Sequence, residues 1–229
     1  MKTCVILQCG YIPWLGYFDQ LDRADIFIIY DDTQYSKGTW RARNRIKTPQ
    51  GPQWLTVPVV VNGFPLIKDV KIDEHDNWAV KHLKSIKQNY SKAPFFADYF
   101  PVFSSVYERK WEYLVDLDVE FIMRIKEALG ITTRVLFSSD LKCEGERTQR
   151  LIDMCLKLGA TEFIEGAAGK SYLLGQGEEA FNKNGIKITY QEYHHPIYEQ
   201  LYGDFISHLS VIDLLFNHGP ASLEIIREG

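Results

Sequence analysis

The sequence predicts an α/β protein: a Rossmann-like parallel sheet with an inserted β-hairpin and a helical layer. Three observations carry this. The chain opens with a short apolar run, a glycine-bearing turn, an amphipathic stretch and a second apolar run, the order of a βαβ unit. Strand-type and helix-type periodicity alternate again from Thr132 to Tyr193. Between these stretches lie a proline- and glycine-punctuated β-type segment and a long helical one. The 229 residues are therefore read as a single α/β domain, residues 1–229, with 77–130 as a helical insertion or subdomain.

The first strand is expected over Cys4 to Leu7, and Gly10, Pro13 and Gly16 then break the chain. Leu15, Phe18 and Leu21 fall at helical spacing, with Asp19, Asp22 and Arg23 on the other side. Ile26 to Tyr30 is a second apolar run ending in Asp31-Asp32. In parallel α/β sheets, ligands lie at the carboxyl ends of the strands. That makes the loop after the first strand a candidate ligand turn, and makes Asp31-Asp32, Asp32 above all, candidate general bases. The competing reading of the two aspartates is a cap or turn.

Lys37, Arg41, Arg43, Arg45 and Lys47 follow, a basic cluster in a chain of net charge −4. In an extended strand Arg41, Arg43, Arg45 and Lys47 point to one face. Such a row would hold a phosphate or carboxylate through arginine's planar fork, with Trp40 and Asn44 as interleaved ligand contacts. Its alternative is a solvated edge strand whose charges discourage aggregation. Thr48 to Gln53 reads as a turn, and Trp54 to Val61 as a β-run in which Pro58 marks an edge.

Asp76 to Tyr90 and Asp98 to Leu129 read as helices, the latter ended by Gly130. The aromatic residues of this part (Phe95, Phe96, Tyr99, Phe100, Phe103, Tyr107, Trp111, Tyr113) are read as core. Thr132 to Phe137 is a strand, Ser138 to Leu141 a loop, Arg147 to Leu158 a helix and Thr161 to Glu165 a strand. Gly166-Ala-Ala-Gly-Lys-Ser-Tyr172 then offers small residues at Gly169-Lys170-Ser171 that could admit an anion to the backbone; an ordinary glycine-rich turn competes. It is not a Walker A loop, which places its first glycine five residues before the second; here Gly166 lies three before Gly169. A helix over Gly177 to Asn184, a strand over Ile186 to Tyr193 and a helix over Leu209 to Gly219 complete the chain.

Composition narrows the classes. Net charge −4 argues against wholesale nucleic-acid binding. Four cysteines without paired spacing indicate reduced thiols and a reducing compartment. No targeting segment is apparent, nor an apolar run near the roughly 18 residues that span a bilayer, so a cytoplasmic protein without membrane insertion is expected. His194 and His195 point oppositely on a strand and do not share a metal. No metal site is expected, and no cofactor signature is read.

Five stretches together resemble the WbqC-like protein family: Gln8-x-Gly-Tyr-Ile-Pro-Trp-Leu-Gly-Tyr-Phe18, Asp31-Asp-x-Gln-Tyr-Ser-Lys37, Trp40-Arg-x-Arg-Asn-Arg-Ile-Lys-Thr48, Trp54-Leu-Thr-Val-Pro58 and Leu209-Ser-x-Ile-Asp-Leu-Leu-Phe-Asn217. The resemblance implies bacterial O-antigen or other surface-polysaccharide biosynthesis, with glycine transfer to an amino sugar as one suggested reaction. A weaker resemblance, of strand, Gly10-to-Gly16 turn, helix and strand, is to HIGH-motif nucleotidyltransferases. Trp14-Leu-Gly-Tyr17 stands in place of that family's histidine motif, and Gly169-Lys-Ser171 could take the place of its late loop.

Three readings follow. In the first, an acyl or aminoacyl transferase acts on a nucleotide-linked amino sugar, a phosphate-bearing small molecule. Gln8 belongs to its ligand turn; Arg41, Arg43, Arg45, Lys47 and Lys170 hold the diphosphate; Tyr11, Trp14 and Tyr17 stack on base or sugar; Asp32 or His195 deprotonates the amine. The second is a nucleotidyl-type transferase, its arginines steadying phosphoryl charge. The third is a non-catalytic partner in glycan assembly.

Overall fold

The computed structural model describes residues 1–145 and 147–229. In chain order its strands are β1 (Thr3–Leu7), β2 (Ile26–Ile29), β3 (Arg43–Thr48), β4 (Gly51–Thr56), β5 (Val59–Val60), β6 (Lys71–Ile72), β7 (Arg134–Phe137), β8 (Glu162–Glu165) and β9 (Lys187–Tyr190). Its α-helices are α1 (Leu15–Arg23), α2 (Trp78–Tyr90), α3 (Phe96–Tyr107), α4 (Leu114–Ala128), α5 (Ser138–Leu141), α6 (Arg147–Lys157), α7 (Lys170–Leu173), α8 (Gln176–Lys183), α9 (Val211–His218) and α10 (Ser222–Arg227). The residues form two compact units: 1–8, 20–32 and 132–193 in one; 9–19, 33–131 and 194–229 in the other.

The first unit is a five-stranded parallel sheet in the order β7-β2-β1-β8-β9, in an α/β Rossmann-like arrangement with helices on both sides. Numbered within the sheet this is 3-2-1-4-5, the order of a doubly wound fold. The central strands are short apolar runs because neither face meets water: Cys4, Ile6, Ile26, Ile28 and Phe163 face one way, Val5, Phe27, Ile29 and Ile164 the other, and all are buried, while the edge strands β7 and β9 are partly exposed. Cys4 to Phe163 pack with Leu151, Ile152, Met154 and Cys155 of α6 and Phe181 of α8 in one core. Phe163 and Phe181 stack with centroids 5.1 Å apart. The Ser138–Leu141 stretch, expected as a loop, is the helical turn α5. Asp31 makes it so, accepting from the Ser139 N–H at 3.0 Å and the Ser139 hydroxyl at 2.7 Å.

The second unit joins helices to two antiparallel pairs, β3-β4 and β5-β6. The hairpin β3-β4 turns at Pro49-Gln50, and Pro58 ends the β-run where it lacks a ladder donor, so Val59 and Val60 pair with β6 instead of extending β4. Phe103, Phe121, Tyr90 and Phe216 are interior, with Phe216 against Phe103 at 5.5 Å and Tyr90 at 5.1 Å. Phe95, Phe96, Tyr99 and Phe100 are only half-buried. α9 carries a serine N-cap, Ser210, and its Asp213 is fully buried, accepting from the Tyr90 hydroxyl at 2.7 Å and the Tyr198 hydroxyl at 3.0 Å. Among the described residues no helix is long and apolar enough to cross a membrane, and none of the four cysteines is in a disulfide.

Candidate functional site

In the second unit, three separated stretches of sequence are tied together. The Asn44 amide donates to the carbonyls of Tyr11 and Ile12 at 3.3 and 2.8 Å. The N–H of Tyr11 donates to the Trp40 carbonyl at 3.2 Å, and those of Ser210 and Val211 donate to the carbonyls of Arg45 and Pro13, both at 2.9 Å. Asn44 is thus a buried strut, and the loop it holds is strained: Ile12, β-branched, has φ 38°. Gly10 eases the approach, since a Cβ there would lie a tight 3.1 Å from the Trp40 carbonyl oxygen.

The basic row divides. β3 starts at Arg43, so Arg41 precedes the strand instead of belonging to it. Lys47 is 1% exposed, and its ammonium donates to the Asp204 carbonyl at 2.6 Å. Arg43 and Arg45 remain half-buried at the surface. Arg43 lies over the Trp54 ring at 4.5 Å and Arg45 over Trp40 and Trp54 at 5.6 Å each, while the two indoles meet at 5.2 Å. Both tryptophans are nearly half exposed, Trp40 at 47% and Trp54 at 43%. The Nε atoms of Arg41, Arg43 and Arg45 are buried and donate to no protein acceptor, and among the described residues no carboxylate pairs with these arginines. Arg45 donates from its terminal nitrogen to the His208 carbonyl at 3.2 Å.

Trp14 stacks on His208 at 5.1 Å and His195 at 6.3 Å. The His195 Nδ1 lies 2.9 Å from the Pro196 carbonyl oxygen. A carbonyl only accepts, so in the neutral ring Nδ1 carries the proton and Nε2 the lone pair. Burial lowers the imidazole's pKa, His208 adding to the effect against the Pro196 carbonyl, so the neutral form is favoured. Tyr11 and Tyr17 are interior. The Tyr11 hydroxyl bridges the Tyr107 hydroxyl and His82 Nδ1, the latter at 2.8 Å.

Two residues absent from the sequence-level site are Asp118 and Cys9. Asp118 occupies the apolar stripe of α4 with Leu114, Phe121 and Ile125, and is 0% exposed. Burial pushes its carboxyl well above the usual carboxylate range, against the opposing influence of the Cys9 thiol and the Arg41 guanidinium. Its charge is felt by Tyr11, Tyr17 and Tyr35, whose hydroxyls are raised first by burial. The signal in the sequence was a carboxylate at a core position of the helix.

The other expected residues lie in the first unit. Gln8 follows β1 and is half-buried. Asp32 pairs with Arg150 and accepts from the Ser138 hydroxyl. With Lys142, Cys143, Glu144, Gly145 and Arg150 it lines a cavity of about 480 Å³. The Gly166–Tyr172 loop is packed by its own side chains. A Cβ on Gly169 would fall 2.0 Å from Glu165 Cγ, Lys170 pairs with Glu192 at 2.8 Å, and Ser171 donates to the Ala168 carbonyl at 2.8 Å. Glu165 accepts from the Tyr172 hydroxyl at 2.8 Å and the Gly166 N–H at 3.0 Å. Among the described residues no three histidine, cysteine or acidic side chains are grouped to hold a metal ion.

Comparison with known proteins agrees with the sequence motifs. The model of the WbqC-like protein family matches residues 8–225. The uncharacterized protein Rv1507c of Mycobacterium tuberculosis (strain ATCC 25618 / H37Rv) is 40% identical over 231 residues, spanning 99% of this chain and 98% of that protein. No solved structure matches the chain. The motifs that meet around Asn44, Trp40 and Ser210 fall within the matched region, and the chain belongs to the WbqC-like protein family.

Proposed function

We propose that the chain is a transferase of bacterial surface-polysaccharide (O-antigen) biosynthesis that places an acyl or aminoacyl (glycyl) group on a nucleotide-linked amino sugar. Family membership supports the glycan-biosynthetic setting. The observation that carries the reading is the arginine–tryptophan face. Arg43 and Arg45 lie against exposed indoles with buried Nε donors that no protein group accepts. Guanidinium forks suit a diphosphate, and flat exposed indoles suit a sugar or base. Only the neutral amine attacks a carbonyl. His195 takes the ammonium proton on Nε2; the amine nitrogen then bonds to the acyl carbon as the bond to the donor's leaving group breaks, and the second N–H proton leaves with that group.

The test is a thermal-shift titration with a UDP-linked amino sugar, UDP alone, and a nucleoside triphosphate with magnesium. A ligand at a hundredfold its Kd adds about 2.7 kcal/mol of stability. The UDP-linked amino sugar is expected to stabilise the protein, and Arg43→Ala to weaken it at least tenfold without lowering the unliganded melting temperature by more than a few degrees. Equal affinity in Arg43→Ala would remove the arginine face from the site. Stabilisation only by triphosphate with magnesium would replace the reading with nucleotidyl transfer, and silence throughout would replace it with a non-catalytic partner role.

A further inference from the structure

The first unit has a cavity at the carboxyl end of its sheet that the transferase reading does not use. Its volume is about 480 Å³, within the range of small-ligand pockets, and it is lined by Asp32, Lys142, Cys143, Glu144, Gly145 and Arg150. One guanidinium builds it. Arg150 donates from Nε to the Cys143 carbonyl at 2.7 Å, from one terminal nitrogen to the Asp32 carbonyl at 3.4 Å, and from the other to one oxygen of the Asp32 carboxylate. The buried Ser138 hydroxyl donates to the other oxygen. The wall at Cys143 and the carboxylate of Asp32 are therefore fixed to each other, although more than a hundred residues of chain separate them.

The lining selects the ligand class. The Arg150 charge is met by Asp32, so an anion would rely on Lys142 with Asp32 and Glu144 opposing it. Nor does the chemistry suit a metal ion, since among the described residues no three histidine, cysteine or acidic side chains are grouped to hold one. What the cavity offers is a positioned pair of carboxylate oxygens. Each is engaged by one donor among the described residues, and each has a second lone pair. Two adjacent hydroxyls fit that pair, one on each oxygen, as charge-assisted hydrogen bonds. Position narrows the class further. Doubly wound sheets bind ligands outside the carboxyl ends of their strands, and an acidic residue of such sites takes a ribose hydroxyl. Asp32 stands just past β2, the strand beside β1. We propose that this cavity is a ribonucleoside site in which Asp32 accepts from the 2′- and 3′-hydroxyls, with the Cys143–Gly145 stretch flanking the rest of the nucleoside.

The cavity is lined by first-unit residues, so the proposal does not rest on the arginine face. It also carries its own reporter, because Cys143 is half-buried whereas Cys4, Cys9 and Cys155 are buried. The test has two arms on the full chain. Calorimetric titration of AMP, UMP, their 2′-deoxy counterparts and ribose 5-phosphate gives affinities. The rate of N-ethylmaleimide labelling at Cys143, read by mass spectrometry, locates the ligand. AMP or UMP is expected to bind at least tenfold more tightly than its deoxy counterpart and to slow labelling at Cys143 at least threefold. Asp32→Asn should erase that preference. If it does not fold, Asp32→Glu keeps the charge for Arg150 but shifts both oxygens, and makes the same comparison. Arg43→Ala should change neither affinity nor protection. Equal binding of the ribo and deoxy forms, or a preference that survives in the Asp32 variant, overturns the role of Asp32. Binding that leaves labelling unchanged, or that is lost in Arg43→Ala, overturns the cavity site in favour of the arginine face. Tightest binding by ribose 5-phosphate replaces the nucleoside with a free sugar phosphate. Silence of every probe overturns the proposal and leaves the arginine-face reading, tested with the UDP-linked amino sugar, untouched.

Discussion

Glu165 and Asp118 are both buried carboxylates whose pKa is raised by burial, yet the two units treat them differently. In the sheet unit, Glu165 accepts from a tyrosine hydroxyl and a backbone N–H, and a glycine gives its stem room. The glycine-rich loop there is complete, because its lysine, serine and carboxylate all have protein partners. In the other unit Asp118 lies on the apolar stripe of α4, where the Cys9 thiol and the Arg41 guanidinium only oppose the effect of burial. A carboxylate with two strong donors holds a loop in place, whereas one that faces a thiol within an apolar stripe keeps most of its desolvation cost. The loop that looked most like an anion site thus has its polar side chains engaged by protein groups, whereas the guanidinium Nε atoms of Arg43 and Arg45 on the hairpin are not.

The contrast can be broken first through the polar interior of the second unit. His82 is buried between Tyr11, Trp78 and Tyr107, and burial takes its pKa from 6.5 to about 4. The unfolded chain therefore binds more protons as pH falls below 6.5, and stability is lost on the way down to pH 4. The full loss is about 3 kcal/mol. Urea unfolding at several pH values should show this decline in wild type relative to His82→Gln, which cannot titrate. Curves that stay parallel would mean that the imidazole is not held neutral.

A smaller effect tests the packed loop. Gly169→Ala should cost about 1–3 kcal/mol, because the new methyl displaces the Glu165 stem from its two donors. A neutral outcome in denaturant melts would show that the loop has room after all. The smallest effect belongs to Lys170→Ala. The Lys170–Glu192 pair is largely exposed, and stability should change by no more than about 0.5 kcal/mol. The response to a UDP-linked amino sugar should be untouched; its loss would move ligand binding to the sheet unit and reverse the comparison.

Several elements were legible in the sequence because their causes are local. Short strand-type runs bounded by turn residues marked all five parallel strands, and the change from strand-type to helix-type spacing marked the βαβ opening. The arginine–tryptophan alternation placed Arg43, Arg45 and Trp54 on the hairpin, since pairing in β3-β4 brings Arg45 opposite Trp54. Alternation said nothing of Lys47, which follows the same two-residue period but is buried because the Gly203–Asp204 carbonyls lie over it, far along the chain. It also could not separate Asn44 the ligand contact from Asn44 the strut, since its partners are Tyr11 and Ile12.

What the sequence by itself determined is the set of elements and the residues able to bind an anion, because periodicity and turn chemistry act over a few residues. What only the tertiary structure decided is which polar groups find partners. Asp118 is more than a hundred residues from Cys9 and nearly eighty from Arg41, and only the folded chain brings them within electrostatic reach of one another. Whether a buried charge is satisfied depends on every donor that packing brings near it, and sequence spacing carries no record of that.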